Sequence, residues 1–324
     1  MIVALTGSAS FLGQNLVGLF EDDPHIKRIV SLDVRRPVTA GQKTRHVSAD
    51  LTTPGIDARM AEILSDEKVN VLLHLAFLAE ATHAEAWAHE LEAVGTMHVV
   101  NAARQASVPK IIGWSQTLLY GAHPTNPSFL TEKHPLRARK SAAFFADKLE
   151  AEAELRRFGD EPNRQVVVLR TAPILGPTVR NYVTRYLSHR LVPTAMGFDP
   201  LFQFLHEVDA VAAFRAALRR DVEGVFNIVG DGVLPLSRVI HLAGRTALPV
   251  PHPLAGGAIA ALWLTQMTSL PAPFVDYLRY GCVADNDKAS KTLGFRPAHS
   301  TREAILDFAN AQRLRDLSLL SDLP

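Results

Sequence analysis

The opening residues place the tightest limit on how this chain can fold. Residues 2–6 are short, apolar and partly β-branched, and they run directly into Thr6-Gly7-Ser8-Ala9-Ser10-Phe11-Leu12-Gly13, where a helical pattern begins. A strand that enters a helix through so short a turn needs one residue free to take positive φ. It needs another small enough for helix and strand to touch. Gly7 and Gly13 stand in those two places. Such a turn aims backbone N–H groups and the positive end of a helix at one point, which suits a phosphate.

The pattern continues as strand-like runs at 29–33, 44–49, 69–76, 111–115 and 166–170, alternating with helical periodicity at 11–20, 87–106 and 141–158, the last closed by Gly159. These runs show little polar alternation, so both faces are expected to be buried, as in a parallel sheet covered by helices. The predicted fold is α/β, a Rossmann-type doubly wound parallel sheet with a smaller C-terminal substrate-binding domain. After Arg170 prolines become frequent. We therefore expect residues 1–170 to form the dinucleotide-binding domain, with 204–230 returning to it, and 171–324 to form the smaller region.

Lys and Arg total 34 against 33 Asp and Glu, a balance that offers no field to attract nucleic acid. A small-molecule substrate is the expected partner. Cys282 is the single cysteine and forms neither a disulfide nor a CxxC pair, and no HExxH or Cys/His cluster suggests a metal. The start of the chain lacks a basic and then apolar leader, so a cytoplasmic location is expected. The most apolar stretch, 255–264, is about half of the ~20 residues a membrane span requires and reads as a buried or lid helix.

Asp33 closes the second strand, where an acidic side chain reaches the adenosine ribose hydroxyls in folds of this kind. Its charge favours NAD. Arg35 and Arg36 follow at once and could receive a 2′-phosphate, which keeps NADP as the alternative.

Taken together, the residues resemble the extended short-chain dehydrogenase/reductase superfamily, in particular its NAD-dependent epimerase/dehydratase group. Thr6 to Gly13 matches its TGxxGxxG, Asp50-Leu51 its adenine-side pair and His74-Leu75-Ala76 its strand end beside the cofactor. Tyr120-Gly121, Leu169-Arg170, Gly176-Pro177, His206 with Asp209, Phe226-Asn227 and Leu293 to Pro297 follow in the family's order. The resemblance implies a cofactor site made by Gly7, Ser10, Phe11, Leu12, Gly13, Asp33, Arg35, Asp50, Leu51, Leu75, Ala76 and Lys148. Ser10 replaces the middle glycine of the fingerprint; it narrows the approach to the pyrophosphate, yet its hydroxyl can donate to a phosphate oxygen.

The resemblance also implies a catalytic YxxxK pair, in which a phenol moves the proton and a lysine lowers its pKa. Here Lys148 is in place and Phe144 occupies the tyrosine position, and a phenyl ring transfers no proton. The family's Ser or Thr falls on Gln116. Lys148, Gln116 and Tyr120 are the catalytic candidates, with His83, His123, Glu132 and His134 as further proton carriers. Pro173 and Phe202 replace an Asn and an Arg common in nucleotide-sugar enzymes, so the substrate is expected to be more apolar. Two readings follow: an NAD-dependent epimerase/dehydratase or oxidoreductase of atypical mechanism, or a non-catalytic dinucleotide-binding sensor or assembly protein. By the same resemblance, a homodimer is expected through the helices at 87–106 and 141–158.

Overall fold

A computed structural model describes residues 1–251 and 272–321. The apolar stretch 255–264 lies outside the described residues. Strands β1 (Ile2–Thr6), β2 (Arg28–Asp33), β3 (Thr44–Ser48), β4 (Val71–His74), β5 (Lys110–Gln116) and β6 (Gln165–Thr171) belong to one sheet. Three short ladders stand apart from it: β7 (Ile174–Leu175) with β10 (Leu205–His206), β8 (Leu191–Ala195) with β13 (Thr246–Val250), and β9 (Leu201–Phe202) with β12 (Leu234–Pro235). The large sheet is completed by β11 (Gly224–Ile228), in the order β11-β6-β5-β4-β1-β2-β3, and every neighbouring pair runs parallel. Its seventh strand therefore comes from beyond residue 171.

Alternate side chains of each strand enter opposite cores. From β1, Val3 and Leu5 join Leu16 and Phe20 of α1 (Phe11–Glu21) and Phe214 of α7 (Glu207–Arg219). Ala4 faces the other way, toward Met60 and Leu64 of α2 (Ile56–Asp66) and Val99 of α4 (Gly95–Gln105). Burial on both faces explains why the strands lack polar alternation. Each fully buried Leu or Phe contributes about 1.5–3 kcal/mol relative to exposure.

The chain passes from β1 toward β2 on one side and reaches β4 on the other, so the loops after β1 and β4 diverge and open a crevice at the carboxyl ends of the strands. Gly7 sits there at φ +67°, and a Cβ on it would strike the Leu75 and Ala76 backbone. A Cβ on Gly13 would strike the carbonyl of Gly7 and the backbone of Ser8. The two glycines thus let the first turn, the start of α1 and the end of β4 close on one another.

The expected helix at 87–106 begins slightly earlier and changes its winding. It runs as α3 (Glu85–His89), one wide i→i+5 turn at Glu90–Val94, and α4. Such wide turns insert an extra residue and redirect a side chain; this one carries Glu92 into the interior, 1% exposed. The helix expected at 141–158 is α5 (Ala143–Gly159). The C-terminal part holds α6 (Tyr182–Ser188), α8 (Leu236–Leu242) and α9 (Thr301–Ser321) around a third core of Phe145, Leu187, Phe204, Ile240 and Phe308. Among the described residues no helix is long and apolar enough to cross a membrane.

His74 locks β1, β4 and α4 together with no exposed surface. The Thr96 hydroxyl donates to the Glu92 carbonyl, so it accepts from His74 Nε2–H at 2.8 Å, and His74 Nδ1 accepts from the Thr6 hydroxyl at 2.7 Å. Burial pulls the imidazole pKa down to about 3. In the unfolded chain it titrates near ~6.5, so between these values the unfolded state carries the extra proton. Stability is fully present above the unfolded value and falls as pH drops toward 3, by about 1.4 kcal/mol per pH unit. Urea melts at several pH values are expected to show that His74→Gln flattens the wild-type slope between about pH 6 and pH 4 by that amount. Equal slopes in the two proteins contradict the assignment.

Candidate functional site

The crevice carries the expected cofactor residues along its rim. Ser10 caps α1: its Oγ accepts from Gly13 N at 3.1 Å, which leaves its own proton free to donate. With Gly13 satisfied, the Phe11 and Leu12 N–H groups remain as the orphan donors of the first turn. Asp33 ends β2 beside this turn, its Oδ2 accepting from Ala9 N at 2.9 Å and its Oδ1 from Arg35 N at 3.2 Å. The carboxylate is thus fixed at the lip of the crevice. Arg35 is exposed, Asp50 is exposed and holds the turn through Thr52, and Leu51 packs in the core beneath. Leu75 is buried and bonded to Thr6, and Ala76 is half-buried against Gly7. A spent cap, orphan donors and a glycine cradle together form a donor set that fits a dinucleotide pyrophosphate with Asp33 at its ribose.

At the far end of the crevice Lys148, 5% exposed, faces inward from α5. Its Nζ donates to Glu92 Oε1 at 2.5 Å and to the Leu78 carbonyl at 3.2 Å, while Leu78 N donates to the same Glu92 oxygen at 2.5 Å. Burial pushes the Glu92 carboxyl up, and the Lys148 ammonium opposes this. The Phe144 ring centroid lies 4.4 Å from Lys148 Nζ and that of Phe77 at 5.6 Å. The lysine is therefore neutralised by a buried carboxylate and covered by an aromatic face. Sequence reasoning missed Glu92, because a glutamate within a helical pattern reads as surface. The signal would have been its place opposite Lys148, which only the tertiary fold supplies.

Gln116 ends β5, and its Oε1 is buried with no partner among the described residues, in a small recess shared with Phe77, Trp114, Ser115 and Lys148. Tyr120 lies elsewhere. It has no exposed surface, donates to Asn227 Oδ1 at 2.8 Å and accepts from Arg170 at 2.8 Å. Arg170 also binds Glu152, which accepts from Ser115 Oγ at 2.5 Å. This network ties β5, β6, α5 and β11 together and holds Tyr120 in the interior. His123, Glu132 and His134 are likewise engaged, bonding Arg137, Asn227 and Thr131.

Behind Phe144 an apolar cavity opens between α6, β9 and the segment Ala272–Leu278. Pro173 and Phe202 both line it, so the two apolar replacements read from the sequence come together in one place. Tyr182 lines it too, with its ring edge-on to Phe144 at 6.2 Å between centroids, and its buried hydroxyl has no partner among the described residues. Cys282 lies at the same cavity and donates to the Thr117 carbonyl at 3.4 Å; burial raises its thiol pKa to about 12. Among the described residues no group of three or more His, Cys, Asp or Glu side chains could hold a metal ion.

The uncharacterized protein Rv0501 of Mycobacterium tuberculosis is 32% identical over 321 residues, which span 97% of this chain and 84% of the relative. A Streptomyces protein named 3-diazoavenalumate denitrifying reductase is 28% identical over 307 residues, 92% of this chain and 97% of its own. The dTDP-glucose 4,6-dehydratase of Streptomyces venezuelae, solved with NAD bound, superposes with a TM-score of 0.74 at 18% identity and covers 98% of each chain. Residues 3–229 match the model of the NAD dependent epimerase/dehydratase family. The chain belongs to that family.

Proposed function

We propose that this protein is an NAD-dependent oxidoreductase that acts on a small apolar substrate rather than on a nucleotide sugar. The observation that carries the reading is the cavity behind Phe144, where Pro173 and Phe202 present carbon in place of the polar groups a sugar diphosphate requires. The Streptomyces relative, named as a reductase, supports catalysis in preference to bare dinucleotide binding, and it supports the direction of reduction.

When bound, the nicotinamide supplies hydride exchange. Ser10, Phe11 and Leu12 would hold the pyrophosphate, and Asp33 would take the ribose hydroxyls and repel a 2′-phosphate. Lys148, with Glu92, fixes the Leu78 backbone at the reacting end. Gln116 can orient a polar atom of the substrate through its unpartnered amide oxygen and its NH₂ group. Phe144 excludes water and supplies no proton. Residues 171–203, 231–251 and 272–321 form the substrate-facing region in this scheme, and Tyr120 serves the interior network. We place the reaction in the cytoplasm, where nicotinamide dinucleotides are kept.

Fluorescence titration is expected to show NADH binding at least about tenfold more tightly than NADPH, a preference that Asp33→Ala reduces. Steady-state assays are expected to show NADH oxidation with members of a panel of apolar carbonyl compounds and none with UDP-glucose. Turnover of the nucleotide sugar, or no dinucleotide binding, overturns the reading.

A homodimer through α3, α4 and α5 is part of the proposal. Trp87 on α3 and Met97 on α4 stand 49% and 42% exposed, apolar surface that a partner copy would cover in this reading. Sedimentation velocity is expected to give a dimer at micromolar protein; a monomer there removes this part.

A further inference from the structure

The cavity behind Phe144 is walled by rings: Tyr182, Tyr186, Phe202, Phe274, Tyr277 and Tyr280. Aromatic side chains arranged around a cavity favour edge and offset contacts with another ring. Here Phe274 meets Tyr182 at 5.4 Å and Tyr277 at 6.0 Å between centroids, and Phe144 at 5.6 Å closes the cluster toward Lys148. An apolar wall alone would not specify which end of a ligand faces the reacting groups. That requires a polar group that no protein atom already occupies.

Among the tyrosine hydroxyls of the cavity, one is buried and has no partner at all among the described residues. Tyr186 donates to the Pro193 carbonyl at 2.6 Å, Tyr277 donates to the Leu118 carbonyl at 2.6 Å, and Tyr280 accepts from Arg279 at 2.7 Å. Tyr182 is 8% exposed and its hydroxyl has no partner among the described residues. A buried hydroxyl without a partner is uncommon and calls for a reason. Its backbone is held firmly. Asn181 accepts from Val183 N and Thr184 N at 3.0 Å each, Thr184 Oγ1 accepts from Asn181 N at 2.8 Å, and Tyr182 N donates to the Ala79 carbonyl at 3.3 Å. Ala79 belongs to the loop after β4, the same loop that Lys148 grips at Leu78. The Tyr182 ring therefore lines the cavity beside Phe144, the ring that took the place of the family's tyrosine, while its backbone is bonded to the loop that Lys148 grips.

We infer that the cavity binds a flat aromatic compound by its ring and that the Tyr182 Oη–H donates a hydrogen bond to a single carbonyl-type oxygen on that compound. This rests on the reading of the site as one for an apolar substrate and names the class. Burial pushes the Tyr182 phenol well above its ordinary pKa, so it stays protonated and acts as a donor. The hydrogen bond fixes which end of the compound lies at the phenol, and no chemical step is assigned to it. A phenol on α6 thus lies beside Phe144 of α5, at a position that the YxxxK spacing could not disclose.

The test compares 2-acetylnaphthalene with 2-isopropylnaphthalene, which has nearly the same shape and no oxygen, by calorimetric titration of the full chain and of Tyr182→Phe. Wild type is expected to bind the ketone about tenfold more tightly, the ratio that one hydrogen bond worth ~1.4 kcal/mol gives. Tyr182→Phe is expected to lose that preference while binding the hydrocarbon as before. Because no protein partner is removed, the variant is expected to unfold at no lower temperature than wild type. Infrared spectra of the ketone bound to wild type supply a readout independent of the variant, with the carbonyl stretch expected below that of the free ketone in an alkane. A preference that survives in Tyr182→Phe, a stretch that stays at the alkane value, or a wild type that binds neither compound overturns the inference. An NADH titration on the same samples separates the two claims. NADH binding with a cavity blind to the ketone removes this inference alone, and Tyr182-dependent ketone binding without NADH binding removes the oxidoreductase reading alone.

Discussion

Lys148 and Glu92 meet 2.5 Å apart in the interior, and the reacting end of the crevice is arranged around that contact. Taking either charge out of water costs several kcal/mol, so neither side chain could occupy its place without the other. The pair is also saturated by its surroundings. Glu92 accepts from Leu78 N, Lys148 donates to the Leu78 carbonyl, and the Phe144 ring covers the ammonium. Three separate elements, the loop after β4, the wide turn at Glu90–Val94 and α5, are thereby held in one register.

This contact makes sense of Phe144. In the pattern this chain resembles, the lysine serves a neighbouring phenol by stabilising its charged form. Here the neighbour is a hydrocarbon ring, and the lysine's charge is answered by a carboxylate on another helix. The two departures suit each other. A lysine left unpaired beside Phe144 would be a buried, uncompensated charge, and Glu92 removes that cost. Gln116 and Tyr182 each hold a buried oxygen with no partner among the described residues, and in the proposed scheme the polar work at this end falls to them.

The sheet was legible in the sequence because its determinants are local. Strands buried on both faces appear as unbroken apolar runs, and the turn from β1 to α1 can be read from Gly7 and Gly13, whose lack of a Cβ the packing demands. Ser10 was legible in part: its hydroxyl was foreseen as a donor, but its role as the cap of α1 depends on backbone geometry. Glu92 and Tyr182 were not legible, since each acquires its meaning from a residue distant in the chain, Lys148 for one and Phe144 for the other. Tyr120 shows the converse. Its motif placed it near the site, but the carbonyl ends of β5 and β6 bring Arg170 beneath it, and the hydroxyl is drawn into the interior.

Lys148 and Glu92 act as one unit, and a double-mutant cycle on unfolding free energy tests this directly. Lys148→Met and Glu92→Leu are each expected to cost about 3–5 kcal/mol, because each leaves a buried charge without its partner. The double variant is expected to lose no more than either single change, giving an interaction energy of similar size. Losses from the two single variants that simply add in the double variant would contradict the account.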